Sequence, residues 1–136
     1  MIEGVILIGV GRNLNRAVRT CYTFGIYNIY CFNCNTATLH GNLFSASSRV
    51  RLHELADLTK INPRALLAVE ANRKLPSLRK ISKEKIKYVA VGGESTTLRQ
   101  KDFPVMAYIP TRNRLCLTTE AALAIVLYEF SQEGLL

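Results

Sequence analysis

The sequence predicts an α/β domain built on a parallel sheet flanked by helices, and three observations lead there. Short, apolar, β-branched runs recur at residues 5–10, 27–32, 65–69, 88–91 and 105–109. Strands buried on both faces read as continuous apolar runs, not as alternating ones. Helical stretches and polar turns separate these runs, which is the pattern of a wound α/β sheet and not of an antiparallel one. No internal repeat, linker or low-complexity segment interrupts the chain, so one domain over residues 1–136 is expected.

The first strand, Val-Ile-Leu-Ile-Gly-Val, runs into the turn Gly11-Arg12-Asn13, and Asn13 is a suitable N-cap for a helix reaching about Phe24. Leu14, Ala17, Val18, Cys21 and Phe24 form the apolar stripe of that helix, while Arg16 and Arg19, three apart, share a cationic face. Gly25 ends the helix as a C′ residue would. A second strand follows. Residues 33–48, rich in Asn, Thr, Ser and Gly, read as a loop whose Leu43 and Phe44 dock inward. A short helix is expected at residues 52–58. Asn62-Pro63 is a turn before the third strand. Residues 73–87 form the most basic tract, with Arg73, Lys74, Arg79, Lys80, Lys83, Lys85 and Lys87 against Glu84 alone. It is either a polyanion surface or a solvated face.

After the fourth strand, Gly92-Gly93-Glu94-Ser95 is a tight polar turn. The fifth strand stops at Ile109, because Pro110 has no N–H for a ladder. A turn with Arg112 and Arg114 leads to a final helix capped by Thr118 or Thr119, with Glu120 in its first turn. Ala121, Leu123, Ala124, Leu127 and Phe130 recur at helical spacing along it. Ligands of such sheets gather at the C-terminal strand ends. The polar turns after the first, fourth and fifth strands all fall there.

Lys plus Arg outnumber Asp plus Glu by 18 to 10, for a formal charge of +8. A field of that sign favours polyanions, nucleic acid foremost. No apolar run near the start is long enough to span a bilayer, and Glu3 with no early basic cluster argues against a signal peptide, so a cytoplasmic protein with no membrane association is expected. Cys31-Phe-Asn-Cys34 has hook spacing, but with no second cysteine pair and no ligand-like spacing of His40 and His53, no metal is expected. Cys21, Cys31, Cys34 and Cys116 are expected to be reduced structural thiols. No phosphate loop appears, and Gly9-Val-Gly11 lacks the third glycine of a dinucleotide fingerprint. Asp57 and Asp102 are the only aspartates, and no close acidic pair recommends hydrolysis. A cofactor that carries the reactive group suits the chain better than side-chain acid–base or metal chemistry.

Three segments, taken in order, carry a family resemblance. Asn13-Leu-Asn-Arg-Ala-Val-Arg19-Thr-Cys-Tyr-Thr-Phe-Gly25 resembles the first motif of the SpoU (TrmH-like) branch of the SPOUT RNA methyltransferases. Val91-Gly92-Gly93-Glu94 with Leu98 resembles the second motif. Ile109-Pro110, Cys116-Leu117 and the alanine-rich helix ending Leu127-Tyr128-Glu129 resemble the third. The resemblance implies a SPOUT-like fold with a C-terminal trefoil knot, and a homodimer packed partly through its first and last helices. It also implies S-adenosylmethionine held bent in the knot loops, and 2′-O-methylation of a ribose in tRNA or rRNA. Val69, Gly92, Gly93, Ile109, Cys116 and Leu117 would then hold the cofactor, apolar strand ends walling the adenine and loop backbone reading its edge. Arg12, Arg16, Arg112 and Arg114, with the basic tract, would contact RNA phosphates.

Arg19 matches the family arginine at the reacting ribose. A guanidinium stays protonated, so its role would be to bind phosphate and stabilise the developing alkoxide. Asn13 would orient that region and Glu94 would brace the second-motif loop. The third motif departs from the family: Thr118 stands at its Asn, Cys116 at its first Ser and Glu120 at its second. A protein of this fold that binds cofactor or RNA without methyl transfer is therefore the alternative reading.

Overall fold

A computed structural model describes residues 1–40, 48–113 and 115–136. Six strands form one parallel sheet: β1 (Gly4–Ile8), β2 (Asn28–Phe32), β3 (Arg51–Leu55), β4 (Leu66–Val69), β5 (Tyr88–Gly92) and β6 (Met106–Ala107), in the order β3-β2-β1-β5-β4-β6. All five pairings are parallel, with Val5 beside Ile29 and Val89, and Ala68 beside Met106. Among the described residues the α-helices are α1 (Leu14–Thr23) and α2 (Thr119–Gln132).

Both helices lie on one face. Leu14, Ala17, Val18 and Cys21 of α1 and Leu123, Val126, Leu127 and Phe130 of α2 pack with Val5, Leu7, Ile29, Val89 and Val91. The helices also pack on each other. The opposite face, Ile6, Ile8, Leu66, Ala68 and Ala90, is covered by Leu75, Leu98 and Phe103, which loops bring across it, and by Met106. This division places the loops after β4 and β5 against each other, a fact on which the site depends.

The structure corrects several expectations. The short helix expected at residues 52–58 does not form, and Arg51–Leu55 is instead the edge strand β3. Leu52 and Leu55 sit three apart, which mimics helical spacing, but Leu52 faces the helices while His53 stacks on Tyr30 across the other face, ring centroids 4.7 Å apart. The sheet thus has six strands and not five. The last strand shrinks from 105–109 to Met106–Ala107, continued only by a bridge between Ser77 and Tyr108. Short 3-10 turns occupy Thr36–His40, Pro63–Ala65 and Leu78–Lys80.

Asn13 stands at the N-cap of α1 but makes no side-chain cap bond. Thr118 likewise caps α2 without one. Val126, absent from the expected stripe, is fully buried, while Ala121 and Ala124 are only half-buried. Gly25 has φ +80°, as a C′ glycine should. The expected docking of Leu43 and Phe44 lies outside the described residues.

Cys21, Cys31, Cys34 and Cys116 are free thiols. A hydrogen bond from the Cys31 thiol, aided by backbone groups, lowers the Cys34 thiol to about 7, and the same bond with burial pushes Cys31 up. No group of three metal-ligating side chains occurs among the described residues. No described helix is long and apolar enough to cross a membrane.

Candidate functional site at the strand ends

The sheet order reverses between β1 and β5, where the chain departs in opposite directions and a crevice normally opens. Here it is closed. Gly93 lies so tightly on the Gly9 carbonyl that a Cβ at residue 93 would collide with it, and Gly9, at φ +64°, has no room for a Cβ beside the Thr96 hydroxyl. The Gly93 N–H also donates to the Ile8 carbonyl at 2.8 Å. The two glycines therefore serve contact between the loops, which explains the incomplete dinucleotide pattern after β1.

The open space lies one step further along the sheet, over the ends of β4, β5 and β6. A cavity of about 150 Å³ is lined by Val69, Gly92, Gly93, Ile109, Cys116 and Leu117, and also by Glu70, Thr96, Thr97, Thr111 and Thr119. All six residues expected to hold a cofactor thus share one cavity, although they come from three separate stretches of chain. The floor is apolar strand end, and the rim is threonine hydroxyl, backbone and the Glu70 and Glu94 side chains.

Two side-chain bonds fix this rim. The Thr119 hydroxyl, buried at the head of α2, donates to the Gly92 carbonyl at 2.9 Å. It ties the last helix to the loop after β5. The Arg73 guanidinium donates to the Thr111 and Arg112 carbonyls at 2.9 and 3.2 Å, joining the loop after β4 to the loop after β6.

Glu70, the first residue beyond β4, accepts from the Ala71 N–H at 3.0 Å and from the Leu98 N–H at 2.8 Å. Glu70 and Thr119 were not singled out as site residues. The available signal was position: a carboxylate immediately after an apolar strand, and a threonine at a helix start.

Asn13 and Glu94 meet, the Asn13 amide donating to the Glu94 carboxylate at 2.8 Å, so the first and second motif segments are joined by side chains. Arg19 does not line the cavity. It is exposed on α1, and Arg16, three residues earlier on that helix, pairs at 3.6 Å with Glu120 in the first turn of α2. One Glu120 oxygen takes that pair, and the other is buried with no hydrogen-bond partner among the described residues.

Arg12 and Arg112 are exposed and pair with no acidic group among the described residues, while Arg114 lies outside them. The basic tract is not one surface. Lys83 is buried against Glu133 at 2.8 Å, Arg79 pairs with Glu129 at 3.2 Å, and Lys87 pairs with Glu3 at the opposite end of the sheet from the cleft.

No family model matches the chain, and no curated protein sequence does. Solved structures do. The TrmH/SpoU tRNA modifying enzyme of A. aeolicus superposes with TM-score 0.77 at 18% identity, covering 99% of this chain and 79% of that one. A structure described as giving insight into the 2-OH methylation of C/U34 on tRNA matches with TM-score 0.77 at 20% identity, over 96% of this chain and 89% of that one. The SpoU methyltransferase AviRb from Streptomyces viridochromogenes, in complex with the cofactor AdoMet, matches with TM-score 0.79 at 12% identity over 98% of this chain. The chain spans only 58% of AviRb and 57% of a solved RNA 2′-O ribose methyltransferase. With its six-stranded parallel sheet and flanking helices, the chain has the fold of the SpoU methyltransferases.

Proposed function

We propose that the chain is an S-adenosylmethionine-dependent methyltransferase that modifies a ribose 2′-hydroxyl of tRNA or rRNA. One observation carries the reading. Residues named for the cofactor from three separate stretches of chain, the end of β4 and the second and third motif segments, line a single cavity at the C-terminal strand ends. The donor set fits the group: Val69, Ile109 and Leu117 offer flat apolar contact to an adenine, while threonine hydroxyls and loop backbone offer polar edges. S-adenosylmethionine, when bound, supplies an electrophilic methyl group on a sulfonium.

The rest falls to the chain's own residues. The Asn13–Glu94 bond holds the loops after β1 and β5 in register beside the cleft. Arg19 and the exposed Arg12 and Arg112 meet RNA phosphates, and Arg19 stabilises the ribose oxyanion as it forms. Arg114 belongs to the same proposal.

A C-terminal trefoil knot belongs to this reading. Its support is the bonding of the last segment to the loops after β4 and β5 through Arg73 and Thr119. A homodimer packed partly through the first and last helices does too, by surfaces other than their apolar stripes, which pack into the core. Among the described residues Leu115, Leu117, Ile125 and Tyr128 are the exposed large apolar groups of α2 and its approach. The reading places the protein in the cytoplasm, where its RNA substrates are.

The second reading, cofactor or RNA binding without transfer, is favoured by one observation: Glu120 occupies Arg16 where the resemblance implies a serine. A methyl-label assay on bulk tRNA and rRNA separates the two. Labelled 2′-O-methyl nucleoside from wild type but not from Arg19→Ala is the expected result. Equal label in both removes Arg19 from the mechanism. RNA binding that weakens with salt, together with cofactor binding and no label, establishes the second reading. Absence of both cofactor and RNA binding refutes both.

A further inference from the structure

A second cavity, of about 450 Å³, opens beside the first. Glu70, Ala71, Thr97 and Cys116 line both, so they form the wall between them. Its floor is Leu75, Leu98 and Met106, all buried. Its charged residues are two of opposite sign. The Glu70 carboxylate is anchored by the Ala71 and Leu98 N–H groups, one on each oxygen. Each oxygen keeps a free lone pair, because a carboxylate oxygen accepts two hydrogen bonds. Arg99 follows Leu98 directly, is exposed, and forms no ion pair among the described residues.

A fixed anion and an uncommitted cation over an apolar floor match a ligand with both charges on a short aliphatic stem. An α-amino acid has that form. A phosphate or other pure anion would meet Glu70 unfavourably, and a simple cation would meet Arg99.

We propose that this second cavity receives the amino-acid head of S-adenosylmethionine, Arg99 taking the α-carboxylate and Glu70 the α-ammonium. The inference rests on the cofactor reading above. The nucleoside then occupies the first cavity, and the ligand bends at the wall formed by Glu70, Thr97 and Cys116. Arg99 is the specificity residue, because a guanidinium fork binds a carboxylate bidentately. Glu70 has a double part, holding Leu98 and reading the ammonium.

The test compares two ligands by titration calorimetry. S-adenosylhomocysteine and 5′-methylthioadenosine share the nucleoside and thioether, but only the first carries the amino-acid head. Wild type should bind S-adenosylhomocysteine at least about tenfold more tightly, the scale of one charge-assisted pair. Arg99→Met should reduce that preference to within about threefold while leaving 5′-methylthioadenosine affinity unchanged, and Arg99→Lys should restore part of it. The 5′-methylthioadenosine affinity also reports whether the nucleoside cleft is intact in Glu70→Gln, which should show the same loss of preference. A preference unaltered in Arg99→Met overturns the inference and leaves the cofactor reading standing. Failure of wild type to bind either ligand overturns the cofactor reading and this inference with it.

Discussion

Thr119→Val should unpin the last helix from the cleft. Threonine and valine have nearly the same shape, so the change removes the hydroxyl and little else. Thr119 is 3% exposed, and its hydroxyl donates to the Gly92 carbonyl across 2.9 Å. Leaving a buried acceptor without its donor costs about 1–3 kcal/mol. A chain of 136 residues has an unfolding entropy of roughly 0.29 kcal/mol/K at the average per-residue value, so the melting temperature should fall by about 3–10 °C. The adjacent Thr118 is the control. It holds the N-cap position, is exposed and makes no side-chain cap bond, so Thr118→Val should change the melting temperature by less than about 2 °C. Thr119→Ser keeps the hydroxyl and should recover most of the loss. Thermal unfolding followed by circular dichroism measures all three. Because Gly92 is a wall of the cleft, Thr119→Val should also weaken S-adenosylhomocysteine binding. If Thr119→Val melts with wild type, or Thr118→Val melts as low as Thr119→Val, the pin has no energetic weight and the reasoning fails.

Two further outcomes follow from the same geometry. Glu133→Gln strands the Lys83 ammonium, whose side chain is 2% exposed, and should cost about 1–3 kcal/mol in urea unfolding. The half-exposed pair Lys87–Glu3 is the contrast, since Lys87→Met should cost less than about 1 kcal/mol; equal losses would show that burial does not distinguish the pairs. Cys116 is exposed and lines both cavities, whereas Cys21 and Cys31 are buried. Iodoacetamide should therefore label Cys116 ahead of those two, and saturating S-adenosylhomocysteine should slow that labelling severalfold in peptide mapping. Labelling of Cys116 unchanged by ligand that demonstrably binds would place the ligand elsewhere.

The central strands were legible because a parallel sheet buries them on both sides, which makes each a short, β-branched apolar run bounded by turn residues. The edges were not. β3 reads Arg51-Leu-His-Glu-Leu55, with exposed or half-buried side chains throughout, so nothing in its composition demanded a strand. Its place is set by pairing with β2, with His53 lying beside Tyr30. β6 failed in the other direction. Val105 and Ile109 extend its apolar run, yet only Met106 and Ala107 pair with β4, because a ladder needs a partner as well as a pattern and β4 itself ends at Val69.

The site divides along the same line. Walls at strand ends could be read from where each apolar run stopped, so Val69, Gly92 and Ile109 were accessible to local reasoning. The side chains that join one loop to another were not. Glu70 acquires its meaning from the Leu98 N–H, twenty-eight positions along the chain, and Thr119 from the Gly92 carbonyl, twenty-seven positions before it. Neither spacing belongs to any helix or strand period, so no pattern in the sequence could announce these bonds. The Thr119 bond exists because α2 packs on the sheet with its first turn over the end of β5, and the Glu70 bond because the loops after β4 and β5 cross the opposite face, where Leu75, Leu98 and Phe103 bury themselves on the sheet. The carboxylate that borders both cavities is therefore held in place by the packing of apolar residues on the face opposite α1 and α2. Enlarging the space there, as Leu98→Ala would, should disturb ligand binding through Glu70 before it disturbs the strands.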